Sequence, residues 1–228
     1  MKALKKCALF AQNQKFKAVY TDMNKNSTNA GSRVCISLPG VRHIVHLAET
    51  ESTQNIAKAL ANAGCAGKTA VIADRQTGGY GRLDHKWVSA PGGLYLSLLL
   101  RPETSPEFLS DLSALVAGVL ARVFRSRYGL SAKVKQPNDV YVFHPEKKKW
   151  LKISGVLSEA SSAVGEKSEW LVIGRGVNIG NTELPETAVC LNEIAGGGTE
   201  VMEFARQFFQ EFWPDYARWE FAGRLKSR

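Results

Sequence analysis

Residues 75–87 read Arg75-Gln76-Thr77-Gly78-Gly79-Tyr80-Gly81-Arg82-Leu83-Asp84-His85-Lys86-Trp87. Gly78, Gly79 and Gly81 fall within four positions, and glycine adopts backbone conformations that are closed to other residues. Such a segment lets N–H groups approach an anion closely. Arg82 follows directly and can bind a carboxylate or phosphate through two parallel hydrogen bonds. Taken alone, the segment reads equally well as an ordinary glycine-rich turn, so its neighbours have to decide.

Upstream, Val41–Leu47 alternates enough to form a strand. Ser52 or Thr53 can cap a helix whose apolar face is Ile56, Ala59, Leu60 and Ala63. Gly64 ends that helix, and Thr69–Ala73 is a short β-branched strand. Downstream, Leu94–Leu100 reads as a buried strand. Apolar residues from Leu112 to Val123 recur at helical spacing and predict a helix over Phe108–Tyr128. Strands follow at Val134–Lys135, Val140–Phe143, Leu151–Leu157 and Trp170–Ile173. Pro145–Lys149 is a hairpin tip, which accounts for its lysines, and Glu200–Phe212 is a helix. No internal repeat is present. The pattern is α+β, a mixed β-sheet with flanking helices.

The chain has 228 residues, of which 44% are hydrophobic and 22% charged, enough for one sizeable core. No run of 18 apolar residues exists, so nothing is expected to span a membrane. The basic start, Met1–Lys6, precedes an apolar stretch too short for a secretory signal, and the location read from this is cytoplasmic. Residues 1–37 are polar and read as a loop-rich extension. The cysteines Cys7, Cys35, Cys65 and Cys190 are dispersed with no C-x-x-C pair; free thiols in a reducing compartment are expected. The net charge is +9, but the basic residues are scattered without an aromatic-interleaved stripe. Solvated surface is therefore the plain reading, and no DNA partner is expected.

Two nucleotide motifs fail. Gly67-Lys68-Thr69 resembles the end of a P-loop, yet Asn62 stands where its first glycine belongs. Gly174-Arg175-Gly176 lacks the third glycine of a dinucleotide fingerprint, since Ile179 holds that place. His43, His46 and His144 fit structural positions, whereas His85 lies inside the glycine-rich loop.

The order of segments settles more than any one of them. Glu51-Ser52-Thr53 is followed by Gln76–Arg82 closing with Lys86-Trp87, then Lys135-Gln136-Pro137-Asn138-Asp139, Lys152-Ile153-Ser154-Gly155-Val156-Leu157 and Gly174-Arg175-Gly176-Val177-Asn178. In this ordered set, over about residues 41–215, the chain resembles the biotin protein ligase family. The resemblance implies a catalytic domain over 38–228, related to class II aminoacyl-tRNA synthetases. It also implies two half-reactions. Biotin and MgATP give biotinyl-AMP and pyrophosphate, and a lysine of a biotin carboxyl carrier domain then takes the biotin. No tightly bound prosthetic group is implied, and a homodimer is compatible with it.

Site residues follow from the same resemblance. Ser52, Thr53, Gln54 and Gln76, with backbone at Gly79 and Tyr80, would bind biotin's ureido end, whose donors and acceptors suit a short polar set. Gly155 and Gly174 would leave room for the valeryl chain, and Trp87 either packs over ligand or lies in the core. Lys152 and Arg82 are cations suited to a carboxylate meeting a phosphate, although the plain reading of Lys152 is an exposed edge lysine. Gly81, Arg82, Lys135, Asn138, Lys152 and Asn178 would face the nucleotide. Asp139 joins Lys152 and Arg82 in the catalytic set and offers the hard oxygen that Mg²⁺ prefers.

The chain also departs from the family. Tyr80 stands where arginine is usual, and Asp84-His85 where Gly-Arg is usual. The loop loses positive charge, and weaker retention of the adenylate is expected. Gln136 replaces a usual tryptophan and Gln54 a usual asparagine. A C-terminal SH3-like barrel and an N-terminal winged helix, found in family members, are not expected here, nor is a repressor role. Alternatives are a lipoate or octanoate ligase, which shares fold and chemistry, and a catalytically weak biotin-binding relative. A nucleic-acid module has only the net charge behind it.

Overall fold

The computed structural model describes residues 19–22, 36–103, 110–161 and 169–226. Its strands are β1 (Val19–Asp22), β2 (His43–Thr50), β3 (Thr69–Gln76), β4 (Leu94–Leu100), β5 (Ala132–Lys135), β6 (Asp139–His144), β7 (Lys149–Ala160) and β8 (Leu171–Val177). Its helices are α1 (Thr53–Asn62), α2 (Ser110–Tyr128), α3 (Leu191–Ile194) and α4 (Val201–Lys226). The strands form one sheet in the order β1-β2-β3-β4-β8-β7-β6-β5. Only β2 and β3 pair in parallel among the described strands, and α1 is the crossover a parallel pair requires.

The two faces of the sheet carry different loads. Alternate residues such as Leu96, Leu98, Val140, Ile153 and Ile173 pack beneath α2 and α4 in the main core. The opposite residues Val45, Leu47, Val71, Leu99 and Val172 meet Ala57, Leu60 and Ala61 of α1. Helix α1 is only ten residues long, too short to cover that face. Over the remainder the upward residues include Ser97, Gly155, Leu157, Gly174 and Gly176, and they floor a cavity.

The expected elements are largely present. Leu94–Leu100 is a strand over those same residues and is buried throughout. Ser52 caps α1, its hydroxyl accepting from the Gln54 amide. Several strands run a few residues beyond the expected bounds, and three differences are informative. The last helix runs to Lys226 through Pro214 because its aromatic stripe continues. The rings of Phe208, Phe209, Phe212 and Tyr216 pack against one another, and Arg122 of α2 pairs with Glu211 and Asp215 on either side of the proline. Strand β8 continues through Gly174-Arg175-Gly176 because β4 and β7 bond it on both sides, which outweighs the low strand preference of glycine. Within the stretch read as a loop-rich extension, Val19–Asp22 pairs antiparallel with β2; most of that stretch lies outside the described residues.

The cysteine reading needs correction. Cys65 is disulfide-bonded rather than a free thiol, while Cys190 is free and buried. Cys7 and Cys35 lie outside the described residues, and widely spaced cysteines give no spacing signal for a disulfide. His46 and His144 do serve structure, bonded to Asp74 and Glu193 respectively. Among the described residues, no helix is long and apolar enough to cross a membrane.

Arg175 is the anomaly of the core. It is 3% exposed, and none of its guanidinium nitrogens has a hydrogen-bond partner. It lies over the rings of Phe208 and Phe209, 4.0 and 4.6 Å from their centroids. Burial without a counter-ion lowers its pKa to about 9. The unfolded chain therefore holds this proton more tightly, so the cost is present at neutral pH and fades as pH rises above about 9. Replacing buried charge with an apolar side chain of similar volume often stabilises, by about 1–4 kcal/mol. Arg175→Met is expected to raise the thermal midpoint at pH 7, with the gap to wild type narrowing above pH 9. Melting curves across that range check both.

Candidate functional site

The parallel register places Thr50 opposite Gln76, so the start of α1 lies beside the end of β3. Backbone bonds fix the junction: Thr77 N–H donates to Thr50 O at 3.0 Å and Gly78 N–H to Glu51 O at 2.9 Å. Gln76 Oε1 accepts from the Thr53 amide at 2.8 Å and the Thr53 hydroxyl at 3.1 Å. Thr53 Oγ1 lies 2.9 Å from Ser97 Oγ, and the Ser97 hydroxyl donates to Gln54 Oε1 at 2.9 Å. Gln54 Nε2 donates to Val172 O and Gln76 Nε2 to Ser89 Oγ. Each carboxamide carries two N–H donors, so one remains on each of these two cavity-lining residues.

The floor needs residues without side chains. A Cβ at Gly174 would lie 2.5 Å from Gln54 Oε1, and one at Gly176 would lie 2.3 Å from the Trp87 ring. Trp87 thus packs against β8 at Gly176 and lines the cavity rather than the core. Its buried indole N–H has no partner within the protein. Beyond the tryptophan, Lys152 Nζ pairs with Asp139 Oδ1 at 2.7 Å, with the ammonium 5.4 Å from the Trp87 ring centroid. A register shift between Val140 and Tyr141 disturbs the β6–β7 pairing next to this pair, as bulges beside sites often do.

The glycine-rich loop folds over the cavity mouth as a closed turn. Trp87 N–H donates to Gly79 O at 2.9 Å and Gly81 N–H to His85 O at 2.8 Å. Leu83 at its tip is 85% exposed and takes a left-handed φ of 53°, uncommon for a branched side chain. Arg82, His85 and Lys86 line the mouth. The cavity, open to solvent at its mouth, is about 260 Å³, polar at the Thr53–Gln76 end and charged at the Lys152–Asp139 end.

Most expected site residues converge here. Ser52, Thr53, Gln54, Gln76, Tyr80, Gly81, Arg82, Trp87, Asn138, Asp139, Lys152, Gly155 and Gly174 all line the one cavity. Gly79 lies directly behind, with no room for a Cβ between Ser89, Trp87 and Gln76. Asn138 has its amide engaged, donating to Val156 O at 2.6 Å. Two expected nucleotide contacts do not reach the cavity wall. Lys135 is exposed with its ammonium near the Tyr141 ring, and Asn178 is buried with Oδ1 accepting from Asn181. Sequence reasoning missed Ser97, the lone small polar residue in the apolar strand Leu94–Leu100, and that interruption was its signal. It also missed Ser89, for which a loop residue offers none.

Comparison with known proteins agrees with this geometry. Residues 47–178 match the model of the biotin/lipoate A/B protein ligase family. The chain belongs to this family. Family relatives include the bifunctional ligase/repressor BirA of Bacillus subtilis, 30% identical over 162 residues that cover 68% of this chain and 48% of that protein. Another is the biotin–[acetyl-CoA-carboxylase] ligase of Paracoccus denitrificans, 29% identical over 179 residues, 76% of this chain and 71% of that one. The chain thus spans about half the length of the BirA relatives it matches. Among solved structures, the Aquifex aeolicus biotin protein ligase in complex with biotin and ATP superposes with a TM-score of 0.64 at 30% identity, covering 78% of this chain and 72% of that one.

The glycine floor yields a matched pair of variants. Gly174→Ala forces Gln54 away from its bond with Ser97 and is expected to destabilise the family fold by about 1–3 kcal/mol. Gly118 of α2 has nothing within 4 Å of an added Cβ, so Gly118→Ala is expected to stabilise by about 0.5–1 kcal/mol. Denaturant titration of the two, giving opposite signs, checks the assignment of the floor.

Proposed function

We propose that the chain joins biotin to ATP as biotinyl-AMP and passes the biotin to a lysine of a biotin carboxyl carrier domain. One observation carries this reading: a buried polar cradle and a lysine–aspartate pair lie at opposite ends of one cavity lined by glycine and tryptophan. A ureido ring offers two N–H donors and a carbonyl acceptor, matching the hydroxyls and carboxamides of Thr53, Gln54, Gln76 and Ser97. A valeryl chain is apolar and suits the floor of Gly155, Gly174 and Trp87. Its carboxylate then arrives at Lys152.

In the first half-reaction a carboxylate oxygen of biotin attacks the α-phosphorus of ATP and pyrophosphate leaves. Two anions must meet, and their repulsion is the barrier the site has to lower. Lys152 turns from Asp139 toward the shared oxygens, and Arg82 follows on the loop; fixed cations of this kind act where charge develops. The acyl phosphate then reacts with the carrier's amine, an amide forms and AMP departs. Closure of the loop keeps water from hydrolysing the mixed anhydride first.

Asp139 is the acidic residue among the cavity-lining side chains. Mg²⁺ keeps several waters and needs only one or two protein carboxylates beside substrate phosphates, so Asp139 fits as its protein ligand. Bound there, Mg²⁺ would neutralise phosphate charge. The dependence on ATP favours a cytoplasmic place of action.

Lipoate and octanoate lack a ureido group. They would leave the cradle's buried donors and acceptors unpaired, and a site built to hydrogen-bond its substrate rejects such analogues by about 10⁴-fold or more. Biotin-dependent ATP–pyrophosphate exchange tests the reading. Exchange is expected with biotin and not with lipoate or octanoate, and Lys152→Ala is expected to lower it by about 10²–10³-fold with the fold intact. Exchange with lipoate in place of biotin, or full activity in Lys152→Ala, would contradict it.

A further inference from the structure

Tyr80 meets residues that the chemistry above does not use. Its hydroxyl accepts from Lys58 Nζ of α1 at 3.0 Å. It lies 3.1 Å from Glu159 Oε2 of β7 and 3.0 Å from Asn55 Oδ1 of α1, donating its one proton to either. Lys58 Nζ closes the ring of contacts on Glu159 Oε1 at 2.8 Å. Lys58 and Glu159 are each partly buried. Burial works against the Lys58 ammonium, yet its bonds to Glu159 and Tyr80 more than offset this and leave its pKa raised. The ammonium therefore stays charged across the physiological range.

This cluster joins three separate parts of the fold at one oxygen. Lys58 is on the helix over the sheet, Glu159 near the end of a central strand, and Tyr80 in the loop across the cavity mouth. The loop is internally tied by Trp87 to Gly79, by Gly81 to His85 and by the Tyr80–Lys86 bridge. Holding residue 80 therefore holds the whole turn, including Arg82 and Trp87. A phenol has no charge to offer a phosphate, and here its hydroxyl is engaged by the protein's own ion pair.

We propose that Lys58 and Glu159, acting through the Tyr80 hydroxyl, clamp the Gly79–Trp87 loop closed over the cavity before any ligand arrives. They are positioning residues, and the clamp slows escape of the adenylate. The escape part rests on the function proposed above; the closure part does not. The charge missing from the loop is thereby replaced by a preformed latch, which lowers the ordering cost that a mobile loop meets on binding.

The test uses Tyr80→Phe, which removes one oxygen, and Lys58→Met, which removes the ammonium. Hydrogen–deuterium exchange on the ligand-free chain reads closure. Amides of Gly81, His85 and Trp87 are expected to exchange about tenfold faster in either variant, the scale of one lost hydrogen bond to a charged group, with β4 and β8 unchanged. Dissociation of preformed biotinyl-AMP is expected to quicken by about the same factor. Loop exchange at the wild-type rate in both folded variants would overturn the clamp. Faster exchange with unchanged dissociation would overturn its role in retention. Failure of the wild-type chain to bind the adenylate would remove the retention role together with the functional reading, while the exchange comparison would still decide the clamp.

Discussion

Everything at the site depends on the side-by-side parallel pairing of β2 and β3. That register brings Thr53, the first residue of α1, against the last residue of β3, so Gln76 Oε1 receives both the amide and the hydroxyl of Thr53. A helix N-terminus leaves amides without intrahelical partners. Here one of them is satisfied by a side chain from a neighbouring strand, and that side chain is also a wall of the cavity. The capping requirement of α1 and the recognition surface are the same set of bonds. Extending from it, Ser97, Gln54 and Ser89 form a continuous hydrogen-bonded chain that holds these side chains in place and leaves one carboxamide N–H on each of Gln54 and Gln76 for a ligand.

The second constraint is the division of labour between the sheet's faces. Strand β8 shows it within three residues. Gly174 and Gly176 face upward and leave space for Gln54 and Trp87, while Arg175 faces downward into the aromatic layer of α4. Period-two alternation makes these assignments inseparable. A cavity on one face needs small residues at every second position, and the main core receives whatever stands between them. The buried charge of Arg175 is a burden the aromatic rings only partly relieve.

Much of this was legible in the residues. The uniform apolar run Leu94–Leu100 and the Ser52-Thr53 cap could be read because strand burial and helix capping are local. The ordered motifs supplied most of the cavity wall, since each lies at a strand end or in a loop leading to it. Three features were not legible, each because its cause is tertiary. Asn178 sits in the fifth motif, yet it is turned inward by Asn181. Cys65 gives no spacing signal for its disulfide. Tyr80 looks in sequence like a lost charge, and only the arrival of Lys58 and Glu159 from distant segments turns it into a contact. The last helix continues past Phe212 because aromatic packing on either side of Pro214 outweighs what a proline costs in a helix interior.

The central claim is that the Thr53–Gln76 cradle selects a ureido ligand. Calorimetric titration of the wild-type chain and of Thr53→Val with biotin and with lipoate tests it most directly. Valine keeps the shape and the backbone bond while removing the hydroxyl shared by Gln76 and Ser97. The account predicts that biotin binds far more tightly than lipoate, and that Thr53→Val weakens biotin by about 10- to 100-fold, one buried hydrogen bond with its partner left unpaired. Equal affinity for the two ligands, or biotin binding untouched by the substitution, would contradict it.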